Sequence, residues 1–334
     1  MSAAQMIHAR GLARTFRKRK QEVRAVDGVD LDVARGEIVG FLGPNGAGKT
    51  TTLRMLTTLI EPSEGTATVA GCDLRADPIG VRRRIGYVPQ SGSTYQEARA
   101  GEEIVDHALM YGMDKAAAIS HGRELFETLD LEGMWKRQPK SMSGGQRRRL
   151  DIAMGLIHRP ELVFLDEPTT GLDPQARANL WEHISALRTE RDTTVFLTTH
   201  YLDEADALCD RILVIDHGRI VAEGTPDALK AGVGGDVIEV ELADEATAAQ
   251  VRSMIEGIAG AELTEADGRH ARGRVPNSGT AMMELVRGLD AAAITPVGIQ
   301  SRRPSLDDVF LTLTGRSLRD DNTHNGGAHE NGAR

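Results

Sequence analysis

Gly43-Pro-Asn-Gly-Ala-Gly-Lys-Thr50 is the stretch that most narrows what this chain can become. It is bracketed by Glu37 to Phe41, which reads as a buried strand, and by Thr51 to Leu59, which has the apolar spacing of a helix. Strand, glycine loop and helix in that order match GxxxxGK[ST], the phosphate loop. The glycines let backbone N–H groups turn inward around phosphate oxygens at a helix N-terminus, where the helix dipole also favours an anion. Lys49 supplies a point charge to the outer phosphates, and the Thr50 hydroxyl is placed to ligate Mg²⁺. The predicted ATP-contacting run is therefore Gly43, Pro44, Asn45, Gly46, Ala47, Gly48, Lys49, Thr50 and Thr51.

The surrounding pattern places this loop in an α/β sheet. From Met6 to Val39 the chain is short and strand-like, with Leu31, Val33, Ile38 and Val39 as core residues and turns at Asp27-Gly28 and Arg35-Gly36. Strand character returns at Leu162 to Leu165, Thr194 to Thr198 and Arg211 to Ile215, with helical stretches from Pro174 to Arg188 and from Tyr201 to Leu208 between them. Such alternation predicts a largely parallel sheet with crossover helices. Gly101 to Arg137, rich in Ala, Glu, Leu and Met, reads as an inserted helical subdomain, spanning about 91–150 with its flanks.

Leu162 to Leu165 ends in Asp166 and Glu167. Beside a phosphate loop in the same sheet, Asp166 would hold Mg²⁺ and Glu167 would orient and polarise the attacking water. An apolar strand followed by two carboxylates is common by itself; the neighbouring loop makes the pair informative. Ser143-Gly-Gly-Gln-Arg147 is more specific, because simple phosphate-loop kinases and GTPases do not need it.

Together with the phosphate loop and Asp166-Glu167, Ser141-Met-Ser-Gly-Gly-Gln-Arg-Arg-Arg-Leu150 resembles the signature of the ABC ATPase family, with Met142 where leucine is usual. The resemblance implies a phosphate-loop core with an antiparallel β subdomain and a helical subdomain. It also implies that Ser143, Gly144, Gly145 and Gln146 face the ATP held by a second subunit. A serine hydroxyl and free N–H groups at a helix start suit an anion physically. One chain carries one loop and one signature, so two complete sites need a two-fold homodimer.

Other elements follow the family order. Gln90, in Tyr87-Val-Pro-Gln90, resembles the glutamine that reaches Mg²⁺ and the attacking water and leads to the membrane partner. Gly171-Leu-Asp-Pro174 resembles the loop that crosses the dimer interface, with Asp173 at its centre, and His200 resembles the switch histidine that contacts the γ-phosphate. Phe16 is the only aromatic far enough ahead of the phosphate loop to stack on adenine, a place usually held by tyrosine. Arg17-Lys-Arg-Lys20 reads as a solvated hairpin tip rather than a lipid or nucleic-acid patch.

A second domain is expected, because 334 residues exceed what one core usually serves. An ATPase domain over 5–232 is followed by glycines at 232, 234 and 235 and then a new α+β pattern over 236–313, read as ferredoxin-like. Its predicted elements are a strand at Val237 to Leu242, a helix at Ala246 to Ile258, a strand at Ala271 to Val275, a helix at Ala281 to Leu289 and a strand at Thr295 to Gln300. The polar stretch 316–334 reads as a disordered tail. Pro304-Ser-Leu-Asp-Asp-Val-Phe-Leu-Thr-Leu-Thr-Gly315 resembles the end of the ATP-binding subunits of daunorubicin-type drug resistance, which implies export of a drug-like or lipid-like substrate.

The formal charge of −9 disfavours a nucleic-acid partner. Cys72 and Cys209 lie in no metal or disulfide pattern, which fits a reducing compartment. Neither a signal peptide nor a membrane-spanning run is evident, so a separate multi-helix membrane subunit would form the pathway, with this chain peripheral on the cytoplasmic face. The alternative is an ABC ATPase that acts on ribosomes or DNA. Only 53 positions separate Gln90 from Ser143, with no heptad array and no second phosphate loop, which argues against it.

Overall fold

A computed structural model describes residues 5–18, 21–244 and 247–315. The chain divides into two compact units, one running to Pro226 and the other starting at Asp227. Each has its own hydrophobic core. The expected disordered tail over 316–334 lies outside the described residues.

In the first unit a six-stranded sheet runs in the order Arg219–Gly224, Arg211–Asp216, Ile38–Leu42, Thr194–Thr199, Leu162–Asp166 and Ile85–Val88. Neighbours are parallel except for the hairpin formed by the first two. Every residue of Ile38–Leu42, Leu162–Asp166 and Thr194–Thr199 is buried. A central parallel strand is covered on both faces, so each of these carries a continuous apolar run instead of an alternating pattern. Phe196 stands opposite Phe164 in register, and its ring lies 5.6 Å from that of Phe41 and 5.7 Å from that of Phe164. Truncating such a buried ring costs about 3–5 kcal/mol, so this aromatic row helps to hold the three strands that carry the site.

The second sheet of this unit is antiparallel, in the order Gln21–Ala34, Gln5–Lys18, Glu64–Val69, Cys72–Asp73. The turn expected at Asp27-Gly28 is not a chain reversal. Strand Gln21–Ala34 continues through it with a shift of register against Leu12 and Arg14, and Gly28 takes the left-handed φ of 72° that the bulge requires. The helix after the phosphate loop spans Lys49–Leu56 and stops short of the predicted Leu59, with Thr58 at φ 61° just beyond it. Inserted between sheet strands, helices Ala100–Met110 and Lys115–Thr128 close around Trp135. A Cβ on Gly101 would lie 2.2 Å from that ring, and Phe126 meets it edge-on at 5.0 Å.

In the second unit, the strands Asp236–Glu241, Glu262–Asp267, His270–Val275 and Gly298–Arg302 and the helices Ala248–Gly257 and Ser278–Ala291 follow one another as βαββαβ. Numbered within this unit, the sheet order is 2-3-1-4 and all neighbours are antiparallel. This is the split βαβ arrangement of ferredoxin-like domains. The strand Glu262–Asp267 was not anticipated, because Glu-Leu-Thr-Glu-Ala-Asp lacks a β-branched run; its pairing with His270–Val275 makes it a strand. Helix Leu306–Thr314 ends the unit, opened by a capping box between Ser305 and Asp308.

Candidate functional site

Four adjacent parallel strands end on the same side, so the segments that follow them are neighbours: the phosphate loop after Ile38–Leu42, His200 after Thr194–Thr199, Glu167 after Leu162–Asp166, and Gln90 beyond Ile85–Val88. The carboxyl ends of such strands are where open α/β sheets bind ligands.

The phosphate loop is held from below. Gly43 N–H donates to the Thr199 carbonyl at 3.3 Å, and the Ala47 carbonyl accepts from Gly218 N–H at 2.9 Å. A Cβ on Gly48, which has φ 109°, would meet the Ala25 carbonyl at 2.6 Å. Gly48 caps helix Lys49–Leu56 without a side-chain hydrogen bond, and the first turn carries no acidic residue. The N–H groups of that turn are thus left for an anion. A cavity of about 180 Å³ opens there, lined by loop residues from Pro44 to Thr51 together with Ala25, Gln90 and Glu167.

Lys49 is only 4% exposed. Its Nζ donates to the Gly43 and Pro44 carbonyls at 2.7 and 3.1 Å and lies 3.3 Å from Glu167 Oε1. Thr50 Oγ1 donates to Asp166 Oδ1 at 3.1 Å, and Thr198 Oγ1 donates to the same oxygen at 2.7 Å. Thr198 Oγ1 also accepts from Glu167 N–H at 3.0 Å. Glu167 has φ 46°, an uncommon backbone for a residue with a side chain, and these bonds hold it there.

Glu167 Oε2 accepts from Gln90 Nε2 at 2.8 Å and from Thr170 Oγ1 at 3.2 Å, and His200 Nδ1 lies 3.3 Å from the same oxygen. Burial alone would raise the Glu167 carboxyl, but the interaction with His200 and the charge of Lys49 outweigh it and hold the group at about 2, below its ordinary 4.5. Burial pushes the Lys49 ammonium down, opposed by Glu167. Because the folded value of Glu167 is depressed, its contribution to stability is complete above 4.5 and is lost as pH falls through about 2. A depression of that size is worth on the order of 3 kcal/mol. Urea unfolding of the wild type and of Glu167→Gln across this window is expected to show the stability difference moving against the wild type by about that amount as pH falls. Parallel curves would show that Glu167 is not held as an ion.

The remaining predicted residues are not brought to this cavity. Ser143 is the N-cap of helix Gly144–Leu156 and forms a capping box: its Oγ accepts from Gln146 N–H at 3.2 Å, while Gln146 Oε1 accepts from Ser143 N–H at 3.0 Å. The Gln146 side chain is thereby committed to the helix start, whereas Ser143 and Gly144 are exposed. Asp173 caps helix Pro174–Arg191, accepting from Ala176 N–H at 2.8 Å. Phe16 pairs across the hairpin with Val23, is 39% exposed, and has the Arg14 guanidinium 4.9 Å from its ring centre.

Three residues of the site escaped the sequence reading: Thr198, Thr170 and Arg148. Arg148 is buried and donates to three backbone carbonyls: Pro168 at 2.8 Å, Pro89 at 2.7 Å and Asp166 at 3.0 Å. Thr198 stood in the recognised Thr-Thr-His run, but its hydroxyl could not be told from any other strand threonine.

Residues 26–170 match the ABC transporter family, and residues 224–314 match the family described as ATP-binding protein DrrA1-3-like, C-terminal domain. The chain is 44% identical over 93% of its length to the daunorubicin resistance ATP-binding protein DrrA2 of Streptomyces coeruleorubidus, covering 96% of that protein. It is 42% identical over 92% of its length to the daunorubicin/doxorubicin resistance ATP-binding protein DrrA of Streptomyces peucetius, covering 93% of it. It is also 38% identical over 92% of its length to the Nod factor export ATP-binding protein I of Burkholderia lata, covering 97% of it. Among solved structures, a dimeric ATP-binding cassette in a post-hydrolysis state bound to ADP and Pi superposes with a TM-score of 0.61 at 25% identity, over 66% of this chain and 98% of that one.

Proposed function

The chain belongs to the ABC transporter ATP-binding family, and from that premise we propose that two copies close on ATP to drive drug-like or lipid-like cargo outward through a separate multi-helix membrane subunit. It is an ATP-hydrolysing subunit of an exporter. The names of its relatives, which concern daunorubicin and doxorubicin resistance and Nod factor export, support the cargo class. Among the described residues no helix is long and apolar enough to cross a membrane, which is compatible with a peripheral place on the cytoplasmic face.

The observation that carries the reading is the convergence of Lys49, Gln90, Thr170 and His200 on one buried carboxylate, beside the Thr50–Asp166 pair and under an uncapped helix start. Lys49 and Glu167 neutralise each other across 3.3 Å. When phosphates enter the loop, Lys49 turns to them, and Glu167 loses the cation that helps to depress it. The carboxylate then becomes a better acceptor for the proton of an attacking water, at the moment that water has a target. Gln90 and His200 hold Glu167 and the water in line, and the Ser143 hydroxyl with the Gly144 and Gly145 N–H groups closes the site from the other protomer.

The donor set fits Mg²⁺. Thr50 Oγ1, Asp166 and the amide oxygen of Gln90, whose nitrogen is the atom engaged with Glu167, are hard oxygen ligands. Among the described residues there is no group of three or more His, Cys, Asp or Glu able to hold a metal unaided, which suits an ion that takes its other ligands from phosphates and water. When bound it supplies neutralisation of the phosphate charge.

The test is to express Glu167→Gln in cells beside its chromosomal neighbours, load it with ATP, and identify what co-purifies. A single multi-helix membrane protein is expected. Recovery with ribosomes or DNA instead would overturn the transport reading while leaving the ATP site intact.

A further inference from the structure

We propose that Arg148 is a positioning residue through which the signature helix, Gly144–Leu156, sets Gln90 and Glu167 of its own chain, so that nucleotide held by the partner at Ser143 readies the site across the sheet. The inference rests on the two-site reading above. Arg148 lies one turn into the helix that Ser143 caps and is 7% exposed. Its three bonds go to the carbonyl just before Gln90, at Pro89, and to the carbonyls on either side of Glu167, at Asp166 and Pro168. No other contact described in the site joins these two segments to the signature helix through a single side chain.

A second residue of the same helix holds the segment that follows Gln90. Asp151 Oδ1 accepts from Ser93 N–H at 2.8 Å and from Thr94 N–H at 3.1 Å. The helix is also locked to the strand that leads to Gln90: a Cβ on Gly86 would fall 2.1 Å from the Gly155 carbonyl, and one on Gly155 would fall 2.8 Å from Val88. Close packing of this kind leaves helix and strand no room to slide past each other, so a displacement of the helix start is transmitted to Gln90. The guanidinium is a planar fork with donors in fixed directions, and it reaches three carbonyls at once; an ammonium on a flexible stem cannot reproduce that geometry. A buried charge is a costly way to fill space, and the two functional segments it joins account for its presence here.

The experiment compares full-length wild type with Arg148→Lys, Arg148→Met and Glu167→Gln, measuring thermal unfolding, ATP affinity, and the kcat, KM and Hill coefficient of ATP hydrolysis. Both Arg148 variants are expected to bind ATP with near wild-type affinity. Turnover should fall about 100-fold, as for a misplaced catalytic group, and the Hill coefficient should drop toward 1 from a wild-type value bounded by the two sites. Lysine should not rescue either quantity. A folded Arg148→Lys with wild-type kcat and Hill coefficient would overturn the proposal, even if Arg148→Met fails to fold. A loss of turnover with the Hill coefficient unchanged would overturn the coupling as well. If Glu167→Gln itself keeps wild-type turnover, the reading of the site fails instead, and the two failures are told apart.

Discussion

Glu167→Gln is expected to bind ATP and to accumulate as a closed dimer while turning over at least about 100-fold more slowly than wild type, the lower end of what a positioned general base contributes. That loss corresponds to a barrier about 2.7 kcal/mol higher. Glutamine keeps the length and planarity of the side chain, so the bonds that hold the backbone at φ 46°, from Thr198, are not disturbed. What disappears is the charge. Lys49, 3.3 Å away, loses its counter-ion and becomes freer to meet phosphate, so nucleotide affinity should be kept or improved. In the proposed two-copy arrangement hydrolysis removes the γ-phosphate from between the protomers, so a chain that cannot take that step is expected to stay associated. Steady-state turnover and size-exclusion chromatography with Mg·ATP read the two halves of the prediction. Unchanged turnover would remove Glu167 from the role given to it.

Lys49→Ala should act on the other side of the equilibrium. The ammonium is buried among the Gly43 and Pro44 carbonyls and Glu167, so its stem is already confined to the loop, and turning to the phosphates costs little further side-chain entropy. Removing one partner of a buried charge contact costs about 2–5 kcal/mol, so affinity for ATP should fall on the order of 100-fold. Ligand protection makes this measurable without turnover. At an ATP concentration 100 times the wild-type Kd, the wild type gains about 2.7 kcal/mol of stability and the variant about 0.4 kcal/mol. Without nucleotide the variant also leaves Glu167 with one cation fewer, though Gln90, Thr170 and His200 remain around it. Equal ATP protection of the two proteins would show that Lys49 does not reach the phosphates.

The parts of the site that could be read in advance share one property: each is a short run whose chemistry depends on residues adjacent in sequence. The phosphate loop is a backbone conformation, and Gly46 and Gly48, both at positive φ, specify it locally. Ser143 and Gln146 form a cap across three positions. Asp166 and Glu167 announce themselves at the end of an apolar strand. Local composition misleads at two places in the chain. Asp27-Gly28 has the chemistry of a turn but lies in a bulged strand, because Gln5–Lys18 continues to pair on both sides of it. Glu262–Asp267 has the composition of a helix or loop, and pairing with His270–Val275 overrides it.

By itself, then, the sequence determined the phosphate-binding loop, its two carboxylates, the signature at a helix start, the α/β class and the presence of a second α+β domain, since these follow from periodicity, from glycine and from neighbouring residues. Tertiary structure alone decided the order of the six strands, and with it that Gln90, Glu167 and His200 meet at one carboxylate. It alone gave Thr198 and Arg148 their tasks. A threonine in a strand and an arginine in a run of three are ordinary until folding brings a carboxylate 32 positions away, or a carbonyl 59 positions away, within a hydrogen bond's reach. Contacts at that separation depend on sheet order and helix packing, which a linear pattern does not record.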